Sequence, residues 1–382
     1  MATTLGPRLR GDDEFVSAQA FGDADASFMA RALALAERGM HTATPNPRVG
    51  CVIVADGSVI GEGWHEKAGG PHAEIVALRD AEAQRIDVRG ATLYVTLEPC
   101  NHSGRTPPCT EALIAAGIGR VVAAMPDPNA LAAGGVGRLR ASGIRVDIGL
   151  LEDQSRALNP GFISRVMRGR PYVRMKVATT LDGRTATAEG SSRWITGESA
   201  RDDGHAWRAR ACAILTGIGT VRADNPQLNV RALATPRQPL RIVIDRHAQT
   251  PHEARVLRGG ALMITAGPRN DAWPAEVEHV ALPDPQGRVD LHALMRELAR
   301  RELNEIHVEG GARLNAALLD AGLVDEILAY VAPGILGDPA RGLAQFDVAH
   351  SLDARVALAF ESMDRIGDDL RIRARVLPRE DR

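Results

Sequence analysis

Apolar positions in this chain come in short blocks separated by turn-forming residues, and the blocks predict helices and strands in alternation. Residues 1 to about 24 are rich in Gly, Asp and Ala without clear periodicity and read as a mobile extension. Ala26 to Arg38 reads as a helix that Asp25 would cap. Cys51 to Val54 and Ser58 to Gly61 read as strands flanking Asp56-Gly57, a pair suited to the positive backbone angles of a two-residue hairpin. A helix from Pro71 to about Gln84, a buried strand from Ala91 to Thr96, a helix from Thr110 to Ala116 and a strand from Arg120 to Met125 follow. A last helix and strand between Leu131 and Val146 complete a unit of single-domain size.

Glu152 to Arg170 reads as one helical connector ending at Pro171, which favours an extended restart. A second alternating series comes next. Its strands are expected at Tyr172 to Ala178, Ala213 to Thr216, Leu240 to Asp245, Ala261 to Thr265, Glu305 to Glu309, Glu326 to Val331 and Leu370 to Val376. Its helices are expected near Ser199 to Arg210, Leu291 to Arg301 and Ala312 to Ala321. The expected organisation is an extension over 1–24, one domain over 25–148, and a second over 149–382 whose first part, 149–170, is the connector.

Composition supports two globular cores. At 382 residues the chain exceeds the length at which one hydrophobic core keeps growing. A hydrophobic fraction of 45% and a charged fraction of 25% argue against disorder. The net charge of −2 supplies no basic field for nucleic acid, and aromatics at 3% leave few rings to stack on bases. There is no apolar run of about 18 residues, and Met1 to Asp25 carries acidic residues where a secretory signal would be apolar, so a cytoplasmic location is expected. Four cysteines do not make a disulfide framework. Cys51 and Cys212 sit among apolar residues and read as buried and structural, whereas Cys100 and Cys109 are clustered and read as metal ligands.

Pro71-His72-Ala73-Glu74 opens a helix, and about 25 residues on Glu98-Pro99-Cys100 follows a buried strand, with Cys109 after eight intervening residues. One imidazole and two thiolates suit Zn²⁺, and three protein ligands leave the fourth tetrahedral position open, as in catalytic zinc sites. Water bound there falls in pKa from about 15.7 to roughly 7, and Glu74 is placed to take its proton and pass it to a leaving amine. His65 and His102 are the candidates for a fourth protein ligand if the site is structural.

The set His72-x-Glu74, Pro99-Cys100 and Cys109 resembles the zinc-dependent cytidine and deoxycytidylate deaminases. It departs from them in spacing, because the usual two residues between the cysteines have become eight. Cys100-x-His102-x-Gly104-Arg105-Thr106-Pro107-Pro108-Cys109, with Pro45-Asn46-Pro47-x-Val49-Gly50 upstream, is similar instead to the bifunctional riboflavin biosynthesis deaminase/reductases. That resemblance implies Asn46, His65, His102 and Arg105 around the substrate, the basic groups on its phosphate and Asn46 on its ring.

In the second half, Val308-Glu309-Gly310-Gly311-Ala312-Arg313 marks a strand-to-helix junction where backbone N–H groups can meet a phosphate, although an ordinary tight turn explains two glycines as well. No Gly-x-Gly-x-x-Gly follows the first strand, so a dinucleotide would be bound in some other way. Lys176-x-Ala178, Leu181-Asp182-Gly183-Arg184, Ser192-x-Trp194-Ile195-Thr196, Thr220-Val221-x-Ala223-Asp224 and Val308 to Gly311 follow the order of the reductase half of the same family, which is similar to dihydrofolate reductase. The resemblance implies NADPH against Ala178, Trp194, Thr220, Asp224 and the turn containing Gly311, Ala312 and Arg313. It implies the ribosyl phosphate against Ser192, Arg208, Leu228, Arg231 and Glu309, with Lys176 and Glu309 as candidate acids. Trp194 reads equally as core. After Val243-Ile244-Asp245, where family members can carry a small polar residue near the cofactor, this chain has Arg246, placed to meet a cofactor 2′-phosphate or solvent.

The implied fold is a cytidine-deaminase-like α/β/α domain followed by a dihydrofolate-reductase-like α/β domain. The implied function is two steps of riboflavin biosynthesis: zinc-hydroxide deamination of a diamino-ribosylamino-pyrimidinone phosphate, then NADPH reduction of its ribosyl group. The implied partner is a small phosphorylated pyrimidine rather than nucleic acid or membrane, with copies of the chain associating as a homo-oligomer. Two rivals stand beside this: a deaminase of tRNA adenosine with the same metal centre, and a zinc-stabilised binding module without catalysis.

Overall fold

The computed structural model describes residues 21–102, 107–346 and 351–378. In the first half, α1 (Asp23–Glu37) is followed by β1 (Gly50–Ala55), β2 (Ser58–Trp64), α2 (Ala73–Ala83), β3 (Thr92–Val95), α3 (Cys109–Ala116), β4 (Arg120–Ala123), α4 (Gly135–Ala141) and β5 (Arg145–Ile148). The strands form one sheet in the order β2-β1-β3-β4-β5, antiparallel on the β2 side and parallel from β3 onward. One face packs Cys51, Ile53, Leu93, Val95 and Val121 under α2, α3 and α4, and the other packs Val52, Val54, Tyr94 and Val122 under α1. Asp56 and Gly57 both have positive φ, 49° and 74°, as the hairpin requires.

Helix α1 starts earlier than the sequence predicts. Gly22 is its N-cap, and Asp25 lies inside the first turn, its carboxylate accepting from Gly22 N at 3.0 Å. The same carboxylate accepts from Tyr94 Oη and Arg120 Nη1, both at 2.7 Å, which ties the helix to the sheet. Phe21 packs on that face too, so order begins before residue 25. Helix α2 lies very close to β2. A Cβ on Gly63 would fall 2.4 Å from the Ala73 carbonyl oxygen, so only glycine there admits the turn that carries Glu74.

The connector is two helices, α5 (Glu152–Leu158) and α6 (Pro160–Arg168), rather than one. Pro160 lacks the N–H needed to continue α5 and serves as the first residue of α6. The second half contains β6 (Tyr172–Thr180), β7 (Arg184–Ala186), α7 (Glu198–Arg210), β8 (Ala213–Gly217), α8 (Ile218–Asp224), β9 (Leu240–Ile244), β10 (Leu262–Thr265), β11 (Glu278–Ala281), α9 (Leu291–Arg300), β12 (Glu305–Val308), α10 (Ala312–Asp320), β13 (Glu326–Ala332), β14 (Arg341–Gly342), β15 (Leu358–Ile366) and β16 (Asp369–Val376). Nine strands make one sheet, β11-β10-β9-β8-β12-β6-β13-β16-β15, parallel from β11 to β13 and antiparallel at its β16-β15 end. Strands β7, β11, β14 and β15 and helix α8 were not expected. In β15 Phe360 and Met363 are exposed, so burial never imposed a hydrophobic alternation on its sequence.

A buried charge cluster joins the halves. Glu305, opening β12, meets Arg48 Nη1 of the first half at 2.8 Å, and from the second half Arg210 Nε at 2.8 Å and Arg174 Nη1 at 3.2 Å. Burial raises the pKa of Glu305, but the guanidiniums of Arg210, Arg48 and Arg174 outweigh it and hold the group well below the ordinary carboxylate range. Because breaking such a cluster leaves buried charge uncompensated at a cost of about 3–5 kcal/mol, Glu305→Gln is expected to lower the melting temperature by about 10 °C. A thermal scan that overlays the parent's would show that the cluster does not hold the halves together.

Candidate active sites

His72 is the extended N-cap of α2, Cys109 is the first residue of α3, and Cys100 ends the segment after β3. Two helix starts and a strand end therefore converge. His72 Nδ1 lies 3.2 Å from Cys109 Sγ and 3.5 Å from Cys100 Sγ, and the three donor atoms fall within 4.8 Å of one another. Zinc bonded at about 2.3 Å to sulfur and about 2.0 Å to nitrogen spreads tetrahedral donors roughly 3.5 Å apart, so the set fits that ion. Cys109 N donates to Cys100 Sγ at 3.4 Å. The Cys100 thiol is drawn down to about 4, first by the hydrogen bond from Cys109 and also by His72, against the effect of burial. These are the only His, Cys, Asp or Glu side chains clustered for a metal among the described residues.

Glu74 stands in the first turn of α2 and is 4% exposed. Burial raises its pKa, with His72 pulling the other way, which brings a carboxylate nearer to neutrality as an acid/base requires. Glu98, by contrast, turns its carboxylate to Asp127 N, Gly134 N and Val136 N at 3.0–3.1 Å and shapes the neighbouring loop. The sequence did not single out Asp127, whose carboxyl is pushed up to about 6 mainly by burial and feels the charges of Cys100 and His72.

Asn46 and His65 are in contact. His65 Nδ1 lies 3.0 Å from the Pro71 carbonyl oxygen, which can only accept, so this nitrogen carries the proton and Nε2 accepts from Asn46 Nδ2 at 3.0 Å. Burial keeps His65 neutral by lowering its pKa. The His65 and His72 rings meet edge to face with centroids 5.6 Å apart, which brings Asn46 close to the donor set. His102 is exposed, and Arg105 lies outside the described residues.

The second site is a cleft of about 730 Å³ at the carboxyl ends of β6, β8 and β12, where parallel sheets usually bind ligands. Ala178, Trp194, Thr220 and Asp224 line it, and so do Lys176, Ser192, Arg208, Leu228, Arg231 and Glu309. Gly310 and Asn315 form the wall at the glycine turn instead of Gly311, Ala312 and Arg313, although Gly311 sits beside Thr220. Trp194 is 67% exposed and stacks on the Arg201 guanidinium, 4.5 Å from its ring centroid, so it is not core. Arg246 lies instead in a separate hollow with His247, Arg269 and Asn270, its Nε donating to Gly287 O at 2.8 Å.

Arg208 is bound on both sides of its fork to Glu309, with Nη2 donating to Oε2 at 2.7 Å, while Nη1 donates to Asn229 O at 3.2 Å. Burial opposes the ionisation of Glu309, but Arg208 prevails and holds the carboxyl well below its ordinary range. Lys176 is pushed down by burial, with Glu309 resisting. Arg231 is exposed, and after burial the charges of Arg208 and Arg255 lower its pKa, as expected where several guanidiniums face one space that an anion would fill. His205, drawn down to about 4 by burial and by Arg208, also lines the cleft. His205, on α7, and Arg255 belong to no sequence motif, and only the tertiary fold brings them to the cleft.

Both halves of the chain have known relatives. Residues 23–125 match the cytidine and deoxycytidylate deaminase zinc-binding region, and residues 171–372 match the RibD C-terminal domain. The chain is 46% identical over 361 residues to the riboflavin biosynthesis protein RibD of Escherichia coli, covering 91% of this chain and 98% of that protein. Among solved structures it is similar to RibD of Acinetobacter baumannii, at 42% identity and a TM-score of 0.86, covering 93% of this chain and 99% of the other. It is also similar to a diaminohydroxyphosphoribosylaminopyrimidine deaminase/5-amino-6-(5-phosphoribosylamino)uracil reductase from Thermotoga maritima, at 35% identity, a TM-score of 0.86 and the same coverage.

Metal binding gathers thiolates and an imidazole that otherwise repel or compete for protons, so it contributes to folding. Treatment with a strong chelator is expected to lower the thermal transition of the first half, and Cys100→Ser to lower it without chelator. A transition unmoved by both would exclude a metal at these three donors.

Proposed function

Since the chain belongs to the RibD family and is a bifunctional deaminase/reductase of riboflavin biosynthesis, we propose that its two sites act in turn on one phosphorylated pyrimidine through the residues named above. The observation that carries this reading is the pairing of a buried Glu74 beside a three-donor metal set with an arginine-lined cleft on the same chain.

At the first site Asn46 holds the pyrimidine ring, and His102 and Arg105 meet its phosphate. Zinc, when bound by His72, Cys100 and Cys109, acidifies water and supplies a nucleophile at neutral pH. Glu74 takes the proton released as the new C–O bond forms and delivers it to the departing ring amine. The C–N bond breaks and ammonia leaves, with water consumed. Burial fits Glu74 to that transfer, because a raised pKa makes its carboxylate the stronger base.

NADPH, when bound at the second site, would supply a hydride for C1 of the opened ribose. Trp194, Ala178, Thr220 and Asp224 hold the cofactor, and Arg246 lies apart in its own hollow with His247 and Arg269. Arg231 binds the substrate phosphate. Arg208 holds Glu309 in place, and Lys176 and Glu309 face the reacting sugar; a half-buried lysine with a lowered pKa is suited to give a proton to the imine nitrogen as hydride adds to C1, the C=N bond becoming a C–N single bond. The exposed Phe360 and Met363 on edge strand β15 support association of copies through that edge, and four free cysteines suit a reducing, cytoplasmic setting.

Incubation with the pyrimidine phosphate, with and without NADPH, tests the whole reading: ammonia is expected in both cases and cofactor oxidation only after deamination. Glu74→Gln is expected to lose at least about a hundredfold in ammonia release while still oxidising NADPH on the deaminated substrate. If it deaminates at the parent's rate, Glu74 is not the acid/base. Arg231→Ala is expected to raise the reductase KM roughly 10–100-fold, and an unchanged KM would remove Arg231 from the phosphate site.

A further inference from the structure

The segment from His41 to Arg48 carries Asn46, yet the bonds that fix it come largely from outside its own domain. Its internal backbone bonds are local turns: Thr42 N and Ala43 N donate to Gly39 O, and Asn46 N donates to Ala43 O. Around them, Arg237 Nε donates to His41 O at 2.8 Å, and Thr44 Oγ1 lies 3.1 Å from Cys212 Sγ. Arg48 pairs with Glu305, and its backbone N–H and C=O are both taken by the Asn159 amide at 2.8 and 2.9 Å. The peptide immediately before Asn46 is gripped twice. Pro45 O accepts from Asn304 Nδ2 at 2.9 Å and from Arg165 Nη2 at 3.1 Å, while Arg165 Nε donates to Asn304 Oδ1 at 2.6 Å.

Asn304 is 5% exposed and is anchored in turn by the reductase sheet, since Tyr172 N donates to its carbonyl at 2.8 Å and its own N–H points to Cys212 Sγ at 3.3 Å. A carbonyl held by two donors that are themselves bonded to each other cannot rotate freely, so the plane of the next peptide is set from the reductase side. Asn46 then has little freedom except at its side-chain torsions, and His65 fixes those. Strand β12 begins beside Asn304 and ends at Val308, next to Glu309 in the second cleft.

From this geometry we propose that Asn304 and Arg165 are positioning residues of the deaminase site: reductase-side groups that act through Pro45 and Asn46 on substrate binding in the other domain. The role rests on the reading of Asn46 as a substrate contact. It makes the deaminase pocket a joint product of both domains, so the first domain by itself has the metal ligands and Glu74 but a loosely held Asn46.

The test uses the full-length, zinc-loaded enzyme. Asn304→Asp keeps the shape and replaces the donor facing Pro45 O by an acceptor. It is expected to raise the deaminase KM about tenfold, as for loss of one buried hydrogen bond, with a smaller change in kcat, an unchanged zinc content and reductase constants on the deaminated substrate within about twofold of the parent. The reductase constants also report that the variant is folded. Combined with Asn46→Ala, it should cost no further activity, because a brace that works through Asn46 has nothing left to position. Arg165→Lys, which retains a donor for Pro45 O, should bind better than Arg165→Met. The role is overturned if Asn304→Asp deaminates with the parent's KM, if both activities fall together, or if its effect multiplies with that of Asn46→Ala. A parent that releases no ammonia overturns instead the functional reading on which the role rests.

Discussion

Glu305 is a carboxylate taken out of water and answered by three guanidiniums from two domains. An isolated charge at that depth would cost several kcal/mol, and so would each arginine without it, so none of the four can be left behind when the domains separate. Arg174 extends the cluster to Glu326 at 3.0 Å, which Arg373 also reaches at 2.9 Å, so the charge chain runs from Arg48 in the first half across β12, β6, β13 and β16. Hydrophobic contact is tolerant of small slides, whereas charges bonded at 2.8–3.2 Å are not. The cluster therefore fixes the relative placement of the halves more tightly than apolar packing would.

The two sites solve different problems on this frame. The first brings donors from two helix starts and a strand end to a point and buries a carboxylate beside them, so its chemistry depends on close placement of a few atoms. The second is a wide cleft whose arginines face each other across open space, and its order comes from pairs such as Arg208 with Glu309 that hold charge in position before any ligand arrives. Preorganised charge of that kind need not rearrange when the substrate enters.

Much of this was legible in the sequence where chemistry or burial constrains local residue choice. Asp56-Gly57 gave the hairpin, buried apolar blocks gave the central strands, and His72, Glu74, Cys100 and Cys109 gave the first site. What escaped was set by distance. The Arg208–Glu309 pair spans 101 residues, and the Pro45–Asn304 bond spans 259, so neither leaves a local pattern. Strand β15 leaves no sequence pattern because exposed residues alternate on it with half-buried ones irrespective of polarity, and the connector breaks at Asn159-Pro160 because proline cannot continue a helix.

The pairing of Pro71, His65 and Asn46 settles how the Asn46 carboxamide is turned. A peptide oxygen at one end dictates where the imidazole keeps its hydrogen, and the imidazole dictates which end of the Asn46 carboxamide turns inward. One hydrogen of its NH₂ goes to His65, and the amide oxygen and the second hydrogen are left over. A hydrogen-bonding partner at Asn46 is therefore met by an acceptor and a donor held side by side in a fixed order. Turning the carboxamide over would set its oxygen against the lone pair of the His65 nitrogen, so that order is fixed by two hydrogen bonds rather than by space.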